Sequence, residues 1–305
     1  MLPQLDLIDL DQPALEGYRR FVSCWLSRGE GPAFLVDPGP TSTAPRLIER
    51  LRALGVARLD FILLTHIHLD HAGGTALLVD AFPDARVFCH QNGRQHLVEP
   101  ARLWEGSRAV LGEVADHFGA PRPVPDRAFA SQADLTSAGI AVVPTPGHAP
   151  HHLSFLHEGT LFAGEAAGTY LELARGLWYL RPATPPRFFL ETALASLDRM
   201  VALTPEPARL AFAHHGLHEG RVRDLLRLAG EQLAQWVQAV RHALAEAPRA
   251  EFAALRETVV ARLAAADPHF ALRAELPPDI RAREEAFTTQ TLRGMVQYVA
   301  ECAGR

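Results

Sequence analysis

The chain predicts a mixed α/β core of several strands followed by an all-helical tail. Three observations carry that prediction. Short apolar runs bounded by turn residues recur up to about residue 220, and helical-period apolar spacing falls between the first of them. Beyond Gly220 the pattern changes to long apolar stripes of helical period.

Taken in order, Ala33-Phe34-Leu35-Val36 reads as a short strand running into Asp37-Pro38-Gly39-Pro40, a turn by composition. Leu47, Leu51 and Leu54 then fall at helical spacing, and Phe61-Ile62-Leu63-Leu64 is a second buried-strand candidate. Val87-Phe88-Cys89, Ile140-Ala141-Val142-Val143, Leu153-Ser154-Phe155-Leu156 and Thr160-Leu161-Phe162-Ala163 repeat the strand signal. Strands interleaved with helices need a layered core. In the tail, Val222, Leu225, Leu226, Ala229, Leu233, Trp236, Val237, Val240 and Leu244 form one stripe, with further amphipathic stretches near 252–263 and 284–299. The expected division is a core over residues 1–220 and a helical C-terminal extension over 221–305. Such stripes need a surface to cover them, and the extension is expected to pack beside the functional cleft as one of its walls.

Composition narrows the classes. With 48% hydrophobic and 21% charged residues over 305 positions, the chain can bury a substantial core without disulfide staples. The net charge of −5 offers no basic field for nucleic acid or an anionic membrane, so neither is an expected partner. All thirty basic residues are arginine, which excludes lysine Schiff-base chemistry and a phosphate-loop lysine. The start, Met1-Leu2-Pro3-Gln4-Leu5-Asp6, lacks the basic end and apolar run of a signal peptide. Cys24, Cys89 and Cys302 are odd in number and widely spaced. A cytoplasmic setting is expected.

The chemistry lies in Thr65-His66-Ile67-His68-Leu69-Asp70-His71-Ala72-Gly73-Gly74, directly after the second strand. Three histidines and an aspartate within six residues supply four good ligands for a borderline divalent metal. On a regular strand His66 and His68 share a face while His71 points away, so convergence needs a loop that opens a helix near Asp70.

This His-X-His-X-Asp-His run resembles the signature of the metallo-β-lactamase superfamily. Four more elements are similar in order and context: Val36-Asp37-Pro38-Gly39, Thr145-Pro146-Gly147-His148, Phe162-Ala163-Gly164-Glu165 and Ala213-His214-His215-Gly216. The resemblance implies an αββα sandwich, with His66, His68 and His148 holding one divalent metal and Asp70, His71 and His214 a second. Residue 165 would bridge. The superfamily usually has Asp there, and the extra methylene of Glu165 displaces the carboxylate by about 1.5 Å, which is large against metal–oxygen bonds of about 2.0–2.2 Å. His214 is preferred to His215 as ligand, leaving His215 to line the cleft. Asp37 is expected to anchor the histidine loop, His151 and His152 to orient a ligand, and Tyr170 to reach substrate with its hydroxyl.

What the resemblance implies is a metal-dependent hydrolase acting on a small ester, thioester or lactone, similar to glyoxalase II-type thioesterases. Asp70 would serve as catalytic residue as well as ligand. Zinc is the first expectation for the two metals, with iron or manganese open. A single-iron dioxygenase, a phosphodiesterase and a non-enzymatic metal-binding protein remain as alternatives, and the partners expected are a small-molecule substrate and, as an open option, a second copy in a homodimer.

Overall fold

The structure is a computed structural model and describes residues 4–303. Among them, one sheet runs β1 (Gln4–Asp9), β2 (Ser23–Arg28), β3 (Phe34–Val36), β4 (Phe61–Leu63) and β5 (Arg86–Phe88), in that spatial order. Its first three strands are antiparallel neighbours and its last three parallel. The parallel strands need crossovers. These are α1 (Ala44–Ala53) between β3 and β4, and α2 (Leu69–Ala72) with α3 (Thr75–Ala81) between β4 and β5.

After β5 come α4 (Gln91–Val98), α5 (Ala101–Leu111), α6 (Glu113–Phe118) and α7 (Gln132–Ser137), and then the second sheet. It begins with β6 (Ala141–Pro144), β7 (Leu153–His157) and β8 (Thr160–Gly164). A separate hairpin, β9 (Thr169–Glu172) and β10 (Trp178–Arg181), and α8 (Leu190–Val201) precede β11 (Arg209–Phe212) and β12 (Leu217–Glu219), which complete the spatial order β12-β11-β8-β7-β6. The tail is α9 (Val222–Glu246), α10 (Phe252–Ala266), α11 (Pro268–Ala271) and α12 (Pro278–Ala303).

Side-chain alternation along each strand builds the layers. Phe34, Val36, Phe61 and Leu63 meet Leu153, Phe155, Phe162 and Ala211 of the facing sheet in a central core. Their strand neighbours Leu35 and Ile62 pack outward under α1 and α3. Leu161, Leu210 and Phe212 pack outward with α8, α9, α10 and α12. The result is the αββα sandwich that the motifs implied, with both sheets covered by helices. The indole of Trp25 donates to the Phe212 carbonyl at 2.7 Å, and the amide of Leu153 to that of Thr65 at 2.7 Å, so the sheets are hydrogen-bonded together at the functional end.

The tail stripe expected over 222–244 is the buried face of α9. The stretch expected from 284 begins six residues earlier, at Pro278, where a proline suits the first helical turn because it has no amide to leave unpaired. No helix among the described residues is long and apolar enough to cross a membrane.

Candidate metal centre

The histidine run leaves β4 and turns immediately into α2, and a buried carboxylate fixes that turn. Asp37, at φ +55° just after β3, accepts from the Thr65 amide at 2.8 Å, from the Thr65 hydroxyl at 2.7 Å and from His71 Nδ1 at 3.2 Å. The strained backbone aims one side chain at three donors of the loop. Gly73 closes it by close approach, since a Cβ there would lie 2.6 Å from the Leu69 carbonyl oxygen.

The remaining candidates come from the second sheet. His148 follows β6, Glu165 follows β8 and His214 follows β11. The β8–β11 pairing shifts register at Ala211/Phe212, and Gly164 sits at φ +58° with His152 Nε2 only 2.4 Å from where a Cβ would stand. A bulge of this kind re-aims a strand end. The Glu165 amide then donates to His152 Nε2 at 3.1 Å, while His152 Nδ1 pairs with Thr145. His152 thus positions the residue whose extra methylene was the main departure from the expected pattern.

Four imidazoles are tethered by their outer nitrogens. His66 Nδ1 lies 3.0 Å from the Thr65 hydroxyl, whose proton already goes to Asp37. His71 Nδ1 meets Asp37, His148 Nδ1 the Ala183 carbonyl at 3.1 Å, and His214 Nδ1 the Phe21 carbonyl at 3.0 Å. Each outer nitrogen must therefore be the donor, so in the neutral ring the Nε2 lone pair points inward. Those lone pairs converge. His68 Nδ1 stands 3.0 Å from His66 Nε2 and 3.1 Å from His148 Nε2, although a ring nitrogen has only a single hydrogen or a single lone pair to share between them. The Glu165 carboxylate lies among them: Oε2 is 2.9 Å from His148, 3.3 Å from His66 and 3.4 Å from His71, and Oε1 is 3.4 Å from His214. Asp70 Oδ2 is 3.3 Å from His71 and 3.5 Å from His214.

These spacings fit a divalent metal. Bonds of about 2.0–2.1 Å in a tetrahedral shell put neighbouring ligand atoms roughly 3.3–3.4 Å apart. Two groups gather around such spacings, His66, His68, His148 and Glu165 in one and Asp70, His71 and His214 in the other, each with its ligand atoms within 4.8 Å of one another. His71 Nε2 is buried and has no hydrogen-bond partner within the protein. Glu165 touches members of both groups.

The electrostatics match. Burial would raise the Glu165 carboxyl, but His148 and His214 hold it well below the usual carboxylate range; Asp70 is likewise held down against its burial, chiefly by His71. Burial and crowding by neighbouring imidazoles push His68 down to about 3 and His66 well below the ordinary histidine range. His71 and His148 go up despite burial, because Asp70 faces one and Glu165 the other. A cluster that gathers protons around two ionised carboxylates is one in which a metal competes with protons.

The cluster opens on a cavity of about 700 Å³. Residues of α4, α5 and α6 form one side, and Phe287, Gln290 and Thr291 of α12 form another, so the tail does wall the cleft. His151 lines the cavity and accepts from the Ile67 amide at 3.3 Å. Two expected residues lie elsewhere. His215, at φ +76°, faces Asp9 at 2.8 Å. Tyr170 is sandwiched between Phe212 and Trp178, with ring centroids 4.8 and 5.5 Å away, and lies behind the cluster as a packing residue. Apolar contact on both ring faces outweighed its hydroxyl. The sequence reading also missed Arg181, which lines the cavity and is clamped by Glu284 of α12 at 2.6 Å; a lone arginine ending the apolar run Trp178-Tyr179-Leu180 was the available signal. The Phe21 and Ala183 carbonyls left none, because any residue supplies one.

The sequence profile of the metallo-beta-lactamase superfamily matches residues 17–214, which takes in every element of this cluster. The chain belongs to that superfamily. Within it, a metallo-beta-lactamase fold-containing protein of Sulfurisphaera tokodaii is 30% identical over 176 residues, 55% of this chain and 64% of the relative. A hydroxyacylglutathione hydrolase of Aeromonas hydrophila is 30% identical over 190 residues, 62% and 59% of the two chains. The chain thus matches about three fifths of the length of these superfamily relatives. A metallo-beta-lactamase family protein of Thermus thermophilus shares the fold over 98% of this chain and 94% of its own, with a TM-score of 0.64 at 24% identity.

Proposed function

We propose that the chain is a dinuclear metallo-hydrolase acting on a small ester, thioester or lactone. The observation that carries the reading is the convergence of four tethered imidazoles and two ionised carboxylates, at ligand-to-ligand spacing, on the end of a cavity large enough for a small molecule. Superfamily membership and a hydroxyacylglutathione hydrolase among the relatives support it. His66, His68 and His148 would hold one divalent metal, zinc by the nitrogen-rich donor set; Asp70, His71 and His214 would hold the other, with Glu165 shared.

When bound, such metals polarise a carbonyl and lower the pKa of water toward neutrality. The chain's own residues do the rest. Asp37, through Thr65 and His71, keeps the ligand loop in one geometry, so little reorganisation accompanies the reaction. Asp70 stays ionised and lines the cavity, and its oxygen Oδ1 can accept a hydrogen bond from the attacking water and orient it. In the overall reaction the water oxygen bonds to the acyl carbon, the C–O or C–S bond breaks, and the departing atom takes a proton.

The test is chelation followed by titration with zinc, read as turnover of an ester, thioester and phosphodiester panel. Ester or thioester hydrolysis that vanishes on chelation and returns with zinc is the expected result. Turnover of phosphodiesters alone, or turnover indifferent to metal, would overturn the reading.

A further inference from the structure

We infer that the substrate carries an extended apolar arm on one side of its scissile carbonyl, seated between α5, α6 and α12. This deepens the hydrolase reading and rests on it. A scissile carbonyl with one water needs a small fraction of the 700 Å³ cavity, which corresponds to roughly twenty waters at about 30 Å³ each. Six apolar side chains line the cavity beside the metal cluster, Leu103, Val110 and Leu111 of α5, Val114 and Phe118 of α6, and Phe287 of α12, with polar neighbours such as Arg102, Ser107 and Gln290 among them.

Helix α5 is the telling element. It buries no side chain, and Val110 stands 66% exposed, yet Leu103, Val110 and Leu111 sit at i, i+7 and i+8, one face of a helix. That face looks into the cavity. Leu103 and Leu111 are half-buried against the core beneath and still line the cavity, and an apolar surface left open in this way marks a binding site. Because the same cavity is lined by His68, Asp70, His148, Glu165 and His214, the occupant is whatever reacts there. Hydrolysis needs only water as co-reactant, and the arm stays attached to the acid or the alcohol that leaves.

The experiment uses the zinc-loaded full chain with two series, p-nitrophenyl alkanoates from acetyl to decanoyl and alkyl acetates of the same lengths. In one series kcat/KM should rise about fourfold per added methylene, equivalent to ~0.8 kcal/mol, until the cavity is full. Which series rises tells whether the arm is acyl or leaving group. A binding readout accompanies it: by calorimetry, N-octanoyl glycinamide should bind more tightly than N-acetyl glycinamide. Leu103→Arg should lower the octanoyl-to-acetyl ratio of kcat/KM, or of its octyl counterparts, by more than tenfold, and Leu103→Trp should move the optimum to shorter chains. A flat or falling profile in both series, in protein that hydrolyses acetyl esters, would overturn this inference and leave the hydrolase reading intact. Failure to hydrolyse any member would overturn that reading and this inference with it.

Discussion

The cavity has two walls built on opposite terms. On one, His68, Asp70, His148, Glu165 and His214 line the cavity over the buried His66 and His71, and each tethered nitrogen has a named partner in Asp37, Thr65, Ala183 or Phe21. On the other, α5 contributes no buried side chain at all. The first wall has one geometry available to it, which suits groups that must meet a metal within a few tenths of an ångström. The second can adjust at low cost, which suits contact with a flexible apolar arm. Rigidity and adaptability are thus divided between elements on the two sides of one cleft.

Substitutions on the rigid wall should do the most damage. Replacing His66 and His68 together by Ala should remove metal and reduce turnover to the uncatalysed rate while circular dichroism stays native, since these side chains serve the cluster rather than the core. Retained hydrolysis in that metal-free double variant would show that the ligand wall does not carry the reaction. Next comes the joint between the tail and the rigid wall. Arg181 and Glu284 are both nearly inaccessible and paired at 2.6 Å, so Glu284→Gln leaves a buried guanidinium under-compensated and should cost about 3–5 kcal/mol in denaturant unfolding. Asp37→Asn keeps the shape of the anchor but loses its charge, and metal affinity should fall about 10–100-fold by competition with a chromogenic chelator. Last, Leu111→Ala on α5 should cost about 1 kcal/mol, less than a fully buried leucine would, because the side chain is half-buried between the core and the cavity. A loss of several kcal/mol there would show that α5 is as tightly packed as the ligand wall.

The same division explains what the sequence made legible. The loop 65–74 announces itself because metal chemistry accepts few residue types and here packs four of them into six positions. His148, Glu165 and His214 are far apart in sequence and were placed only through the resemblance; the structure brings them to the loop because β6, β8 and β11 end at the same edge of the sandwich. The parallel strands read well, being continuous apolar runs such as Phe61-Ile62-Leu63 that are buried on both faces. By contrast β1 alternates polar and apolar residues over an edge of the first sheet, and α4–α6 carry Gly93, Gly106 and Gly112 with short, broken stripes. Their apolar residues are divided between the core and the cavity, so the periodicity that marks a core-facing helix is weak. Glu165 was the one position where the pattern argued against itself. The register shift beside β11 that accommodates it depends on pairing between strands distant in sequence and leaves no local mark.

If Glu165 joins the two groups of ligands into one dinuclear site, the metal content of the protein depends on it. Wild type, Glu165→Asp and Glu165→Ala should be stripped, reloaded with zinc and analysed for metal per chain. We expect about two in wild type, about two in Glu165→Asp and about one in Glu165→Ala, with turnover falling alongside the lost metal. Equal stoichiometry in wild type and Glu165→Ala would contradict it.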